Sequence, residues 1–304
     1  MNNPPLFRIW VSAARLRTLP LSVAGIVAGN ALAVQYQHFS WGLYGSTLLT
    51  AIAFQILSNF ANDYGDGIKG TDNENRVGPK RVLQQQLLSK NVLFRGIILT
   101  AIISMGLAIL TIYLAFGVGE TTNSLLFLGL ALGAIIGAYK YTAGKGAYGY
   151  HAMGDAFVFL FFGLLAVCGA YFLQTKTVNP SVCCMAFAIG FLSVGVLNLN
   201  NMRDIENDTA VGKKTVAAVL GLNAAKKYHT LLVLGGIASL CIGLIITVQN
   251  YWCYIPLFVV FPLAVQLKKT LRVKKHADFD ALLKPLAVST FMLSLLLFAS
   301  KFWF

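Results

Sequence analysis

The chain has 304 residues, 57% of them hydrophobic and only 12% charged, with a net charge of +13. Soluble domains carry about twice that share of charge, which excludes an ordinary water-soluble globular domain. A spanning helix needs roughly 20 apolar residues, and charge-free stretches of that length recur from end to end. They predict an all-α polytopic membrane protein of nine transmembrane helices with its N-terminus in the cytoplasm.

Residues 1–17 read as a short interfacial segment in which Arg15 and Arg17 mark the membrane surface. No cleavable signal is expected ahead of the first span. Spans one and two part at Gln35-Tyr36-Gln37-His38. The second ends in Ser58–Arg81, the most charged run of the chain, where Asp63, Asp66, Asp72 and Glu74 are followed by Arg76, Lys80 and Arg81. Gly65, Gly67, Gly70, Gly78 and Pro79 are breakers and make 65–90 a polar loop. Spans three and four form a hairpin around Gly117–Asn123, and a short basic loop, Tyr139–Lys145, leads into Gly149–Asp155. Spans five and six end in a second acidic run, Asn200–Asp208, continued by Val211-Gly212-Lys213-Lys214-Thr215. Spans seven and eight part at Gln249-Asn250-Tyr251-Trp252, a basic segment Lys268–Lys284 follows, and span nine closes the chain. Residues 1–304 are expected to form one domain, with a weak repeat of 18–140 in 153–268 and a final helix at 283–303.

With that topology, only Lys176 and Lys301 of the 24 Lys and Arg fall on the far side. This asymmetry is the positive-inside rule, so the net charge reports topology and no nucleic-acid partner is expected. The five cysteines have no ligand spacing and read as small apolar fillers.

Seven of the eleven Asp and Glu lie in the two runs. Asn62 and Asp66, and Asn59 and Asp63, are four apart, while Asn200, Asp204 and Asp208 make a ladder of the same spacing that shares one helix face. Carboxylates crowded in this way repel unless a cation lies between them. Oxygen ligands without His or Cys select a hard ion, Mg²⁺ before Zn²⁺, and Mg²⁺ held by one or two carboxylates completes its shell with water and phosphate. Lys69, Arg76, Lys80, Arg81, Lys140, Lys145, Arg203, Lys213 and Lys214 supply nearby cations for such a phosphate. Solvated loops and helix caps suffice for Glu74, Glu206, Asp278 and Asp280, but poorly explain several carboxylates and asparagines at two separate helix ends. Asp155, which opens span five, suits the helix dipole as well as it suits a site. His151 and His276 read as surface residues.

Asn62-Asp63-Tyr64-Gly65-Asp66, with Asp72 beyond, resembles the NDxxDxxxD motif of the UbiA-type intramembrane prenyltransferases. Asp204–Asp208 is similar to their DxxxD motif, and Tyr141-Thr142-Ala143-Gly144-Lys145 to their YxxxK loop. The wording around these motifs is closest to the branch that prenylates 1,4-dihydroxy-2-naphthoate. One departure is Gly70, where the strict motif has its last acid and Asp72 comes two residues late.

The resemblance implies a helical bundle around a cavity open to the bilayer, with the two acidic motifs facing each other under cytoplasmic loops of the bacterial inner membrane. Asn62, Asp63, Asp66, Asp72, Asp204 and Asp208 would hold Mg²⁺ on a polyprenyl diphosphate, whose tail is soluble only in membrane lipid. Arg76, Lys80, Arg81, Lys140, Lys145 and Arg203 would neutralise the departing pyrophosphate. Asp63, Asp66, Asp204, Asp208, Tyr141 and Lys145 are the implied catalytic residues, Tyr141 either stabilising an allylic cation or orienting the acceptor. Tyr148, Tyr150 and Asp155 are candidates for the aromatic acceptor, 1,4-dihydroxy-2-naphthoate, which would lose CO₂ to give demethylmenaquinone. A 4-hydroxybenzoate enzyme would use the same metal chemistry. A metal or anion transporter would place ionisable residues near mid-membrane, whereas these spans are uncharged through their centres.

Overall fold

The computed structural model describes residues 4–34, 39–74, 76–247 and 251–301. The break expected at Gln35–His38 and the Gln249-Asn250 part of the later one lie outside them. Among the described residues nine helical segments are long and apolar enough to cross a membrane, as the charge-free stretches predict. A short helix α1 (Leu6–Ala14) joins α2 (Leu19–Ala33) through Arg15, whose φ of 50° breaks the helix without a loop. Then come α3 (Trp41–Lys69), α4 (Lys90–Phe116) and α5 (Thr121–Lys140). The fifth span is α6 (Gly154–Val158), a π-helical stretch Phe159–Cys168, and α7 (Gly169–Thr175). The sixth is α8 (Pro180–Ala210), followed by one short turn of helix, α9 (Val216–Leu220). The seventh is α10 (Leu222–Thr247), and α11 (Val260–Arg272) and α12 (Asp280–Ala299) complete the last two.

Local chemistry sets these boundaries. The side chains of Ser40, Ser89 and Asn179 accept the backbone N–H of Leu43, Val92 and Val182 at 3.2, 3.4 and 3.0 Å, each satisfying a donor left free at a helix start. Gly70 ends α3 with a φ of 75°, and its N–H donates to the Asp66 carbonyl, the left-handed stop that glycine adopts without strain. The basic segment Lys268–Lys284 is mostly helical. α11 runs to Arg272 and a 3₁₀ turn from His276 leads into α12, leaving 273–275 between them. Lys269 and Arg272 occupy the last turn of α11, where bases suit the helix dipole and long stems can snorkel.

Helices α2, α3, α4, α5, the α6–α7 span, α8 and α12 surround a central cavity. α10 packs along the outer face of α8 and contributes Val233, Leu240 and Leu244 to the largest core, with Met185, Ile189, Leu192, Leu286 and Leu293. A second core joins α1, α3 and α4 through Ile9, Leu57, Phe60, Leu93 and Ile97. A third, of Leu43, Phe116 and Leu173 with Phe127 and Phe172, closes the end of the bundle away from the acidic runs. Adjacent helices of the ring pack closely, and α5 meets the α6–α7 span along a looser seam bridged by side chains such as Phe127, which stacks on Phe172 with ring centroids 5.8 Å apart. On the opposite flank, α2 meets the π-helical stretch at Gly25, where a Cβ would stand 2.7 Å from the Phe162 carbonyl oxygen. Ile98, Leu99, Ile102 and Ile109 of α4 point outward and exposed, a lipid-facing surface.

Candidate active site

The cavity has a volume of about 950 Å³ and changes character along its length. Its far part is walled by Ala108, Ile112, Phe127, Leu130, Phe161, Leu165 and Leu173. Its near part is lined by Asn62 and Asp66 of α3, by Asn200, Asp204, Asn207 and Asp208 of α8, and by Arg15, Arg76, Arg81 and Lys213. An apolar trough thus ends in a ring of oxygen ligands and cations.

The α8 ladder of Asn200, Asp204 and Asp208 faces inward as its spacing predicts. The α3 cluster does not act as one group. Asp63 and Asp66, three residues apart, are offset by only about 60° around the helix, and packing rather than spacing separates them: Asp63 is drawn to Arg15 beside α1, while Asp66 lines the cavity. Asp63 is 1% exposed and pairs with Arg15, with Arg81 Nε 3.5 Å away. Beside it, Asn59 donates to the Ala14 carbonyl at 2.8 Å, fastening the α1–α2 break to α3. Asp66 stays at the cavity and accepts from the Tyr150 hydroxyl at 2.8 Å. The glycine stop at Gly70 brings the chain back so that Asp72 lies buried against Arg76 Nε at 3.0 Å and Arg81 Nε at 4.0 Å. Gly70 thereby accounts for the two-residue delay in the motif. Burial, and then the charge of Asp66, push Asp72 above the usual carboxylate range, against the pull of Arg76 and Arg81.

Tyr141 and Tyr148 line the cavity as expected. Tyr148 stacks on Phe157 with ring centroids 3.9 Å apart, meets Tyr141 edge-on at 5.3 Å, and donates to the Gly137 carbonyl at 2.9 Å. Gly149 and Gly154 make the slot for Tyr141, since a Cβ on either would press its ring or hydroxyl at 3.0–3.1 Å. Burial, followed by the carboxylates of Asp66, Asp155 and Asp208, raises the Tyr141 phenol pKa, so it remains a neutral donor.

Several expected site residues lie elsewhere. Lys80, Lys140 and Lys145 are exposed and do not line the cavity: Lys80 and Lys145 lie on loops, Lys140 in the last turn of α5, and all three ammonium groups are left to water. Arg203 is fully buried behind the wall: Nη2 and Nε grip Asp204 at 2.6 and 2.9 Å, Nη1 pairs with Asp280, and Nη2 also meets Asn200 at 2.8 Å. Tyr150 does not line the cavity either; its hydroxyl holds Asp66 and Thr71. Asp155 is buried and hydrogen-bonded by Tyr228. Sequence reasoning assigned Arg15 to topology and Asp280 to a solvated loop, yet both line the cavity. No local pattern marks either one, because each reaches the site through tertiary packing.

The loops over the polar end form one cap. Lys214 N–H donates to the Tyr150 carbonyl at 3.2 Å, and Ala152 N–H to the Lys214 carbonyl at 2.7 Å. Asn207 donates to the Thr71 carbonyl at 3.0 Å, tying α8 to the chain beyond α3. Burial works against the Lys213 ammonium, but Asp66 and Asp208 more than offset it and raise its pKa.

The profile of the UbiA prenyltransferase family matches residues 22–296. The chain belongs to this family. It is similar to the 1,4-dihydroxy-2-naphthoate octaprenyltransferase of Haemophilus influenzae, at 38% identity over 95% of this chain and 93% of the relative. The protein of the same name from Escherichia coli is 36% identical over 86% of this chain and 85% of its own length. Among solved structures, a UbiA homolog from Archaeoglobus fulgidus bound to DMAPP and Mg²⁺ superposes with a TM-score of 0.68 at 16% identity, over 97% of this chain and 99% of that chain. A UbiA homolog from Aeropyrum pernix K1 gives a TM-score of 0.69 at 12% identity, over 94% and 96%. At those identities the likeness establishes the fold alone; the family profile, the two relatives and the nine apolar helices among the described residues make this chain an integral, multi-pass membrane prenyltransferase.

The donor set fits a hard divalent ion. Asn62, Asp66, Asn207 and Asp208 offer only oxygens and amides to the cavity, and the buried Asn207 Oδ1 has no hydrogen-bond partner. Among the described residues no three His, Cys, Asp or Glu side chains converge as a complete metal cage. Mg²⁺ needs only one or two carboxylates and leaves its remaining positions to water and substrate phosphate, and Asp66 and Asp208 bring two carboxylates to the cavity.

Proposed function

We propose that the protein transfers a polyprenyl group from a polyprenyl diphosphate to 1,4-dihydroxy-2-naphthoate, releasing pyrophosphate and CO₂ to form demethylmenaquinone. The observation that carries this reading is the union, in one cavity, of an apolar trough with an oxygen-and-cation end built from both acidic motifs. The relatives named for this acceptor over most of the chain support the choice of acceptor.

Asp66 and Asp208, with Asn62 and Asn207, would hold Mg²⁺, and the bound ion would act as a Lewis acid on the leaving diphosphate. Arg76 and Arg81 present guanidiniums to the pyrophosphate, a planar fork suited to phosphate oxygens. Asp63 and Asp72 keep those guanidiniums in place rather than binding metal themselves. Arg203 holds Asp204 rather than the pyrophosphate. Tyr141 and Tyr148 form an aromatic wall for the acceptor, and the Tyr141 hydroxyl is available to orient its ring. The trough excludes water, which protects an allylic cation from hydrolysis. A tail longer than the trough would continue into lipid along the seam between α5 and the α6–α7 span, the most loosely packed side of the ring. Lys176 lies at the end away from the acidic runs, over the Phe116 ring. Its place agrees with an active site on the cytoplasmic side of a bacterial inner membrane.

The test uses purified protein, octaprenyl diphosphate and acceptor labelled in its carboxyl carbon. Labelled CO₂ should appear in step with prenylated product. Label retained in product, or better turnover with 4-hydroxybenzoate, would overturn the acceptor and leave the family intact.

A further inference from the structure

Of the carboxylates of the two acidic runs at the polar end, Asp63, Asp66, Asp72 and Asp204 each have a cation at hand, and the cations are of two kinds. Asp63 pairs with Arg15 and Arg81, Asp72 with Arg76, and Asp204 with Arg203. These are planar forks set in buried networks. Asp66 has no arginine partner; its cation is Lys213, with Nζ 3.6 Å from Oδ1. Asp208 is 4% exposed, lines the cavity and has no ion-pair partner among the described residues. Asp66 and Asp208 are thus the two carboxylates, one from each acidic helix, that no guanidinium holds.

Lys213 is built into its place. Its N–H donates to the Asp208 carbonyl at 2.8 Å, fixing its backbone to the end of α8. Gly212, with a φ of 72°, makes the turn that aims it back at the cavity. The next residue is stitched to the Tyr150 loop, and Lys213 Nζ lies 5.2 Å from the centre of the Tyr150 ring. The anchored backbone carries a flexible four-carbon stem and a compact charge, in contrast to the fixed arginine forks.

We propose that Lys213 is the resident counter-ion of the Asp66–Asp208 pair: it holds the position of the divalent ion in the empty enzyme and turns to the diphosphate when metal and substrate arrive together. The inference rests on the prenyltransferase reading above. Two carboxylates that line the same end of one cavity need a cation beside them, and a single ammonium is the one partner here that can be displaced without dismantling a fork. A divalent ion entering between Asp66 and Asp208 repels the ammonium, and the diphosphate supplies the negative charge that receives it. The exchange involves no covalent step. Lys213 therefore opposes metal binding before the diphosphate is present and favours it afterwards, which couples the two ligands.

The experiment measures Mn²⁺ binding to the purified full chain by electron paramagnetic resonance, with and without a geranyl thiolodiphosphate that cannot react. In the absence of diphosphate, Lys213→Gln should bind Mn²⁺ roughly tenfold more tightly than the native protein, the size of a typical coupling between sites. Adding the diphosphate should tighten Mn²⁺ binding strongly in the native protein and little in Lys213→Gln. Asp66→Asn in the Lys213→Gln background should remove the gain. Equal or weaker Mn²⁺ binding by Lys213→Gln without diphosphate would overturn the proposal, as would tight binding that survives Asp66→Asn. Lys213→Arg keeps the charge and the fold but puts a fork in place of the point charge. It should weaken joint Mn²⁺ and diphosphate binding about tenfold, and unchanged binding would also overturn the idea. Failure of the wider reading is recognised separately, as absence of prenyl transfer by the native protein whatever its metal affinity.

Discussion

Replacing Arg203 by Met tests whether this guanidinium is a support for Asp204 or a ligand for substrate. The Arg203 side chain is 0% exposed and Asp204 7%, whereas Asp280 on the other side is 44% exposed. Breaking a buried pair from one side leaves an uncompensated charge and costs about 3–5 kcal/mol. The half-exposed Asp280 arm is screened by water and adds about 0–1 kcal/mol. Arg203→Met should therefore lower the melting temperature by roughly 6–10 °C at about 2 °C per kcal/mol, and Asp280→Asn by about 2 °C at most. Arg203→Met with Asp204→Asn removes both charges and should recover more than half of the loss, a coupling that a double-mutant cycle isolates. Thermal denaturation of the detergent-solubilised protein, followed by near-ultraviolet circular dichroism, provides the reading. If Arg203→Met melts within about 2 °C of the native protein, or the double variant melts no higher than the single, the support role is wrong. Arg203 would then be free to meet the diphosphate.

Four other outcomes are expected. Asp66→Ala and Asp208→Ala should each lower kcat by about a hundredfold or more, chelation should abolish turnover, and Mg²⁺ or Mn²⁺ should restore it; a fully active double variant would refute the site. Arg76→Ala and Arg81→Ala should raise KM for prenyl diphosphate by roughly tenfold, the worth of a charge-assisted hydrogen bond. Lys80→Ala, Lys140→Ala and Lys145→Ala should leave KM within about threefold, as steady-state kinetics would show. Burial raises the Tyr141, Tyr148 and Tyr150 phenols, and Asp66 and Asp208 hold Lys213 up despite its burial. A raised folded pKa gives stability that is present below the unfolded value of about 10 and lost as pH climbs through the folded one. Melting temperatures should accordingly be level between pH 8 and about 10 and fall above it, less steeply in Tyr148→Phe with Tyr150→Phe.

The membrane class and the number of spans were legible because apolar length is a local property, and the α8 ladder because helical spacing is. The fate of Asp63 was not. Its four-residue spacing from Asn59 was correct, but which face meets the cavity depends on the Arg15 break packing against α3, a contact between residues 48 apart in sequence. Gly70 appeared in the sequence as a departure from a motif, and the structure shows it as the turn that carries Asp72 back to Arg76. Lys80, Lys140 and Lys145 were grouped with Arg76 and Arg81 because charge and proximity in sequence look alike for all five. Only burial separates them. Likewise, composition set the basic segment Lys268–Lys284 apart from the spans on either side, since sequence alone does not show how far a helix can extend while its charged stems reach for water.

The seam between α5 and the α6–α7 span also determines how the reaction should be counted. A donor whose tail follows that seam arrives by diffusion in the plane of the bilayer, and the product departs the same way. The quantity that saturates the enzyme is then the number of prenyl chains per unit area of membrane, not their number per volume of buffer. Diluting the donor with inert phospholipid at constant total amount should slow turnover, while doubling the volume of buffer should leave it unchanged. For the water-soluble acceptor the two dilutions should act the other way round.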